Sequence, residues 1–303
     1  MWFKNLKIFR LSSHFGGEKL TLQRLSEAIE KQAFQPVNRS DMQNMGWVSP
    51  CNSGALVHAL DGQYLLSLRV EKKLLPAAVV RQFTIAKAQE IEEQKGYKPG
   101  RKQLKEIKEQ ITDSLLPRAF SLYRDTRVWF DTKNHWLCID TASPAKSDEV
   151  IGMLAKALEP LPVQSLFTEQ SSPSAMTEWL IQDEAPANFS IDQDAELRSS
   201  AENRATIRYV RQTPEKEDAI KHIQSGKQCT RLALTWSDKV SFILDDLMNI
   251  KRIAPLDILN EGNDTSRMSD MERFEADMTL MYSELAGLIA DLVAALGGEK
   301  ARQ

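Results

Sequence analysis

The chain has 303 residues, 42% hydrophobic and 27% charged, a balance that excludes disordered and fibrous classes and leaves room for two or three compact regions. No apolar run reaches the roughly 18 residues of a membrane span, and Met1 to Lys7 lacks the apolar stretch and cleavage site of a secretory leader, so a cytoplasmic protein is expected. The net charge of −3 conceals separate territories: Ser67–Arg127 holds fourteen Lys/Arg against eight Asp/Glu, which leaves −9 for the remainder, and such a chain can meet a polyanion with one surface while its others repel it.

Phe3 to Leu11 alternates basic and apolar residues and reads as a strand. Gly16-Gly17, close to Ser12-Ser13, reads as a loop rather than an anion cradle. Leu22, Leu25 and Ile29 share one face of a helix over Leu20–Gln32. Strands at Ala55–Leu60 and Gln63–Val70 are joined by Asp61-Gly62, a hairpin dipeptide that accepts positive φ at both turn positions. Helices over Pro76–Lys95 and Arg101–Leu116 flank a Gly96-Tyr97-Lys98-Pro99-Gly100 turn. The second helix has only a narrow apolar stripe, Leu104, Ile107, Ile111 and Leu115, so the pair is expected to project from the body as a helical hairpin.

Strands follow at Thr126–Asp131 and His135–Thr141, then a helix at Ser147–Leu158, with a boundary marked by Pro160 and Pro162. Ser172-Pro173 opens a short helix through Trp179. Ala185–Asn203 is polar, acidic and poorly patterned, and reads as a mobile linker. Ala205–Val210 is a strand, and Thr213-Pro214 caps a helix that Gly226 ends. Arg231–Trp236, Lys239–Leu244 and Ile250–Ile253 form an antiparallel meander. In the last helix Ser269 and Glu272 have capping-box spacing, and Gly297-Gly298 stops it. Its apolar residues from Met271 to Leu292 step by threes and fours, which suits packing on its own sheet or a dimer seam. The expected class is α+β, with mixed antiparallel sheets. A β-rich body takes 1–75 and 118–165, the projecting basic hairpin 76–117, and a C-terminal α+β region 166–303.

Motifs for chemistry are absent. There is no phosphate loop, no GxGxxG and no HExxH, and His14, His58, His135 and His222 are scattered. Cys51, Cys138 and Cys229 are odd in number and far apart, and read as small hydrophobes rather than ligands or reactive thiols. Asp245-Asp246 is the one pair that invites a metal-dependent nuclease reading; a strand end followed by a turn is the competing one. No catalysis, cofactor or metal is expected.

Six short segments run in order over the whole chain: Trp2-Phe3-Lys4-Asn5-Leu6, Met45-Gly46-Trp47-Val48, Leu115 to Ser121 (LLPRAFS), Thr177-Glu178-Trp179, Leu232 to Trp236 (LALTW) and Ser283-Glu284-Leu285-Ala286. Together they resemble the RdgC family of bacterial recombination-associated proteins. The resemblance implies a non-enzymatic protein that binds single- and double-stranded DNA with little sequence preference. It implies a ring-shaped homodimer with a basic hole that opposes RecA in recombination and replication-fork repair, hence a nucleoid-associated protein. It also places Phe120, Arg211 and Gln212 at a gate-like dimer contact. Many relatives have Lys where Arg211 stands, and the tip between Lys95 and Arg101 departs from the family.

The residues themselves fit a backbone binder, since no helix-turn-helix or zinc finger is present to read bases. The candidate DNA contacts are Lys72, Lys73 and Arg118 near the base of the hairpin, Arg124 and Arg127 extending that patch along the next strand, and Arg211. For Phe120 a core position competes with an exposed anchor, and for Lys102, Lys105 and Lys108 a solvated helix face competes with a DNA contact. A rival function is an interaction module that binds RecA directly through the same basic surface.

Overall fold

A computed structural model describes residues 2–12, 21–51, 53–161, 163–201, 205–259 and 268–300. In chain order the elements are β1 (Asn5–Leu11), α1 (Leu22–Glu30), β2 (Gln43–Val48), β3 (Val57–Leu60), β4 (Gln63–Lys73), α2 (Ala77–Lys95), α3 (Arg101–Leu115), β5 (Ser121–Asp131), β6 (Trp136–Ile139) and α4 (Pro144–Ala157). They continue with β7 (Val163–Ser165), α5 (Ser172–Gln182), β8 (Phe189–Ser199), β9 (Thr206–Tyr209), α6 (Lys216–Gln224), β10 (Lys227–Trp236), β11 (Val240–Asp245), β12 (Ile250–Pro255) and α7 (Asp270–Ala295). A 3-10 turn at Leu116–Arg118 follows α3. The fold is α+β and its strand pairs are antiparallel.

The strands run β2-β4-β5-β6-β1-β12-β11-β10-β8-β9, with β3 also on β4 and β7 also on β1. β1 is the joint. Lys7–Arg10 pair with β6 along one edge. On the other edge Asn5 and Leu6 pair with β12, and Phe9–Leu11 pair with β7. One strand therefore belongs to an N-terminal sheet and a C-terminal sheet at once.

Two cores follow from this. In the first, Leu25 and Ile29 of α1 with Val150 and Leu154 of α4 meet Leu66, Leu68, Val128 and Phe130. In the second, α5 and α7 cover the C-terminal sheet, and their core reaches Leu65, Trp129 and Cys138 on the opposite face of the N-terminal sheet. Strands β4 and β5 are thus covered on both sides, which is why Leu65-Leu66 and Val128-Trp129-Phe130 are continuous apolar runs rather than alternating ones. Tyr282 of α7 stacks on Trp129 at 4.6 Å and 18°, and fixes the helix across the joint. By length and composition α7 could cross a membrane. Here Leu285, Leu288, Ile289 and Leu292 are wholly buried in protein.

Local signals explain most boundaries. Asp61 and Gly62 both take positive φ, +48° and +76°, as the β3–β4 turn requires. Ser269 and Glu272 close the capping box of α7, and Gly96 at φ +74° ends α2. At Gly46 a Cβ would lie 2.4 Å from Phe34 Cα, so only glycine lets the segment after α1 pair beside Trp47. The α2–α3 hairpin buries Val80 and Ile107 alone in its two long helices.

Several expectations are corrected. Residues 189–199 are not a linker but β8, paired with β10 and β9. The bulges against β10 break the two-residue period; Asp192 and Glu196 have partners on the neighbouring β10 and β9, and Asp194 has Arg252 of β12. Ser171, not Ser172, caps α5, which runs on to Gln182. Glu215, not Thr213, precedes α6. β2 and β7 have no counterpart among the strands expected from the sequence. The Gly16-Gly17 loop, Pro162 and residues 202–204 lie outside the described residues.

Candidate nucleic-acid interface

β4 and β5 pair along their whole length, Lys72 opposite Leu122 and Lys73 opposite Ser121. Alternation sends the two lysines to opposite faces. Lys72 is exposed and has no ion pair among the described residues. Lys73 is 6% exposed, and its Nζ donates to the carbonyls of Arg39 (3.0 Å) and Leu116 (3.1 Å). This corrects its assignment as a phosphate contact: the ammonium is turned inward, tying the base of the hairpin to the loop after α1. Lys73→Met is expected to lower unfolding free energy by about 1–3 kcal/mol, because two buried carbonyls lose their donor. A denaturation curve checks it; a midpoint equal to wild type would place the charge in solvent.

Two arginines are likewise engaged. Arg124 pairs with Glu149 of α4. Arg127 donates Nη2 to Asp140 Oδ2 (2.8 Å) and the Trp2 carbonyl (2.7 Å), and lies 4.7 Å over the Phe3 ring. Asp140 Oδ1 in turn accepts the backbone N–H groups of Lys4 and Asn5. This cluster clamps the start of β1 against β5, so Arg127 is a structural anchor and not a free cation.

Arg118 and Arg211 are different. Arg118 ends the 3-10 turn, exposed and with no ion pair among the described residues. Two residues on, Phe120 is 84% exposed, so it does not belong to the core of the chain. Leu74 N–H donates to the Phe120 carbonyl at 2.7 Å, holding this backbone beside the end of β4. Leu74, Leu122 and Tyr123 are each more than half exposed around it. Arg211 has φ +55°, an uncommon conformation for a residue with a Cβ, fixed by its N–H to Asp194 Oδ1 (2.8 Å) and by Gln212 N–H to the Gln193 carbonyl (2.9 Å). Its side chain is exposed, next to Val210 at 68%.

Sequence reading missed a second basic surface, on the C-terminal sheet. A cleft of about 410 Å³ is lined by Arg208, Arg231, Lys251 and Arg252. Its floor is Glu196, nearly buried, which takes Arg208 at 2.7 Å, Arg198 at 2.8 Å and Arg231 at 3.7 Å. Burial alone would raise the Glu196 carboxyl. Hydrogen bonds from Arg208 and Thr230, with the charge of Arg231, outweigh that and hold it below the ordinary carboxylate range. Arg252, at φ +52° on a bulge of β12, lies 3.8 Å from Asp194. One buried acid thus gathers three cations from β8, β9 and β10. Period-two reading could not find this, because bulges put the residues together.

Asp245 and Asp246 do not form a pair. Asp245 is buried, accepts from Leu247 N, Asn249 N and Asn249 Nδ2, and meets Lys251 Nζ at 2.6 Å. Asp246 is exposed. Burial would raise the Asp245 carboxyl, but Asn249 and Lys251 hold it low. With a folded value below the unfolded one, its contribution is complete above the unfolded range of about pH 4 and is lost as pH falls through the folded value. Asp245→Asn is therefore expected to be less stable at neutral pH and to show a flatter acid limb in a pH series of unfolding curves. An unchanged acid limb would mean that the carboxylate is not coupled to folding.

The chain matches the family model described as "Putative exonuclease, RdgC" over residues 1–299. It belongs to the RdgC family. Relatives named recombination-associated protein RdgC include that of Bordetella parapertussis, 60% identical over 300 residues and 99% of both chains. Those of Herminiimonas arsenicoxydans and Paraburkholderia phymatum are 54% identical over 303 residues and 50% over 299, covering 100% of both chains and 99% and 97% respectively. As an RdgC family member the chain is a recombination-associated protein, and the segments from Trp2 to Ala286 that carry the resemblance lie within the matched span.

Proposed function

We propose that this chain binds duplex and single-stranded DNA through the phosphate backbone, without sequence preference. Two copies close a ring around the DNA and so limit RecA access during recombination and fork repair. Recombination acts on DNA, and relatives at 50–60% identity carry that name. The observation that carries the reading is the LPRAFS turn, where Arg118, exposed and without an ion pair among the described residues, stands two residues from an aromatic that is 84% exposed. A cation free for phosphate and an apolar anchor free for a partner are what a DNA-enclosing dimer needs at one place. Lys72, Arg211 and the cleft around Arg208, Arg231 and Arg252 supply further positive surface, and two-fold symmetry doubles it. The α2–α3 hairpin is the arm at whose base this turn sits.

The test is solution mass with and without DNA, together with anisotropy titrations on unrelated duplexes. Dimers that bind all of them alike support the reading; a monomer, or one strongly preferred sequence, overturns it. The family's exonuclease description gives the second reading. Asp245 already serves Asn249 and Lys251, which leaves it no free edge for a shared ion. End-labelled DNA incubated with the protein and magnesium is expected to keep its length.

A further inference from the structure

The sequence alone makes Cys51 a packing residue, and its surroundings say otherwise. Cys138 and Cys229 are wholly buried, and burial pushes both thiols up, that of Cys229 to about 12. Cys51 is only half-buried, in the loop between β2 and β3. Its Sγ lies 3.6 Å from His58 Nδ1 and 3.3 Å from the Ser53 hydroxyl, while the Ser49 hydroxyl donates to its carbonyl.

His58 stands on β3, 9% exposed, with its ring edge-on to Phe274 at 5.3 Å. Its other nitrogen, Nε2, is buried without a hydrogen-bond partner and faces Glu275 Oε1 of α7 at 3.6 Å. Thiol, imidazole and carboxylate thus lie in sequence, brought together from a loop, a strand and a helix more than 200 residues apart. The recombination reading uses none of them. A buried imidazole between a thiol and a carboxylate can take the thiol proton and hold the resulting positive charge.

We propose that Cys51 is a reactive thiol, activated by His58 with Glu275 as positioning residue, and that it is oxidised to a sulfenic acid by small hydroperoxides. His58 Nδ1 takes the Cys51 proton. The thiolate attacks the terminal oxygen of the hydroperoxide; the S–O bond forms, the O–O bond breaks, and the departing hydroxide or alkoxide takes the proton back from His58, leaving as water or an alcohol. Sulfur loses two electrons, and the two peroxide oxygens gain one each. A small oxidant can reach the half-buried Sγ, and the Ser53 hydroxyl can donate to the oxidised sulfur. Two equivalents of a low-molecular-weight thiol would reverse the change: the first forms a mixed disulfide and releases water, and the second frees Cys51 and departs as the small disulfide.

The experiment treats the full chain with hydrogen peroxide, traps sulfenic acid with dimedone and maps each cysteine by mass spectrometry. Label is expected at Cys51 and not at Cys138 or Cys229, forming about tenfold faster in native protein than in urea, because activation by His58 is lost on unfolding. Glu275→Gln, at a carboxylate whose side chain is 40% exposed, should slow labelling by several-fold with an unchanged melting curve. His58→Gly should slow it further, and added imidazole should restore it, which a purely structural role would not give. Native labelling no faster than in urea, or Glu275→Gln equal to wild type, overturns the proposal.

Discussion

DNA affinity is expected to fall by about a thousandfold or more as salt rises from about 50 to 200 mM, with similar values for unrelated duplexes. Counterion release drives the fall: each phosphate neutralised frees bound cations, and six or more such phosphates give a log–log slope steeper than about −5. Lys72, Arg118 and Arg211 are exposed cations that no acid holds among the described residues, and the Glu196 cleft adds Arg208, Arg231 and their neighbours. Charge reversal at Arg118 should flatten the slope by about one unit for each phosphate that is no longer neutralised. Reversal at Lys105, which has Glu109 at 3.8 Å on the outer part of the hairpin, should do less. If Lys105 is the more damaging site, DNA runs along the arm. A shallow slope throughout would favour direct RecA binding over DNA.

Phe120→Ala is expected to weaken dimerisation by about 2 kcal/mol, close to thirtyfold in dissociation constant, as for other desolvated aromatic anchors. Its receiving surface is proposed near Val210, Arg211 and Gln212 of the second copy. The side chain is 84% exposed in the single chain, so the substitution opens no cavity there. Sedimentation should therefore report more monomer while unfolding of the dilute monomer stays at the wild-type midpoint. Loss of monomer stability, or an unmoved dimer constant, would make the aromatic a local packing residue.

Much of the fold is legible in the sequence because its signals are local. The Asp61-Gly62 turn, the α7 capping box and the Gly96 stop each act through their own backbone, so the residues suffice to read them. β8 is illegible for the opposite reason: its acids look solvent-seeking until Arg208 arrives from the next strand and Thr235 and Arg252 from strands distant in sequence. The same distance hides the Glu196 cleft. Charge along the chain locates the basic stretch near the hairpin but does not tell Lys72 from Lys73, since one step along a strand decides between solvent and two buried carbonyls. Phe120 is core or surface according to tertiary packing, which its own neighbours in sequence do not reveal. The Cys51–His58–Glu275 line is beyond sequence reading altogether, because α7 supplies its third member.

The double membership of β1 sets a timetable for synthesis. It leaves the ribosome ahead of every other described element, yet its pairing with Lys251 and Ile250 must wait for about 245 further residues. At about 5–20 residues per second that is roughly 12 to 50 s of translation. The core built by α1, β4, β5, β6 and α4 can close within the first 160 residues, giving Lys7–Arg10 an early berth on β6. Phe3 and Leu6, wholly buried in the finished molecule, are only partly covered by β4 and β5 until the last strands and α7 emerge. The nascent chain thus carries an apolar edge through most of its own manufacture.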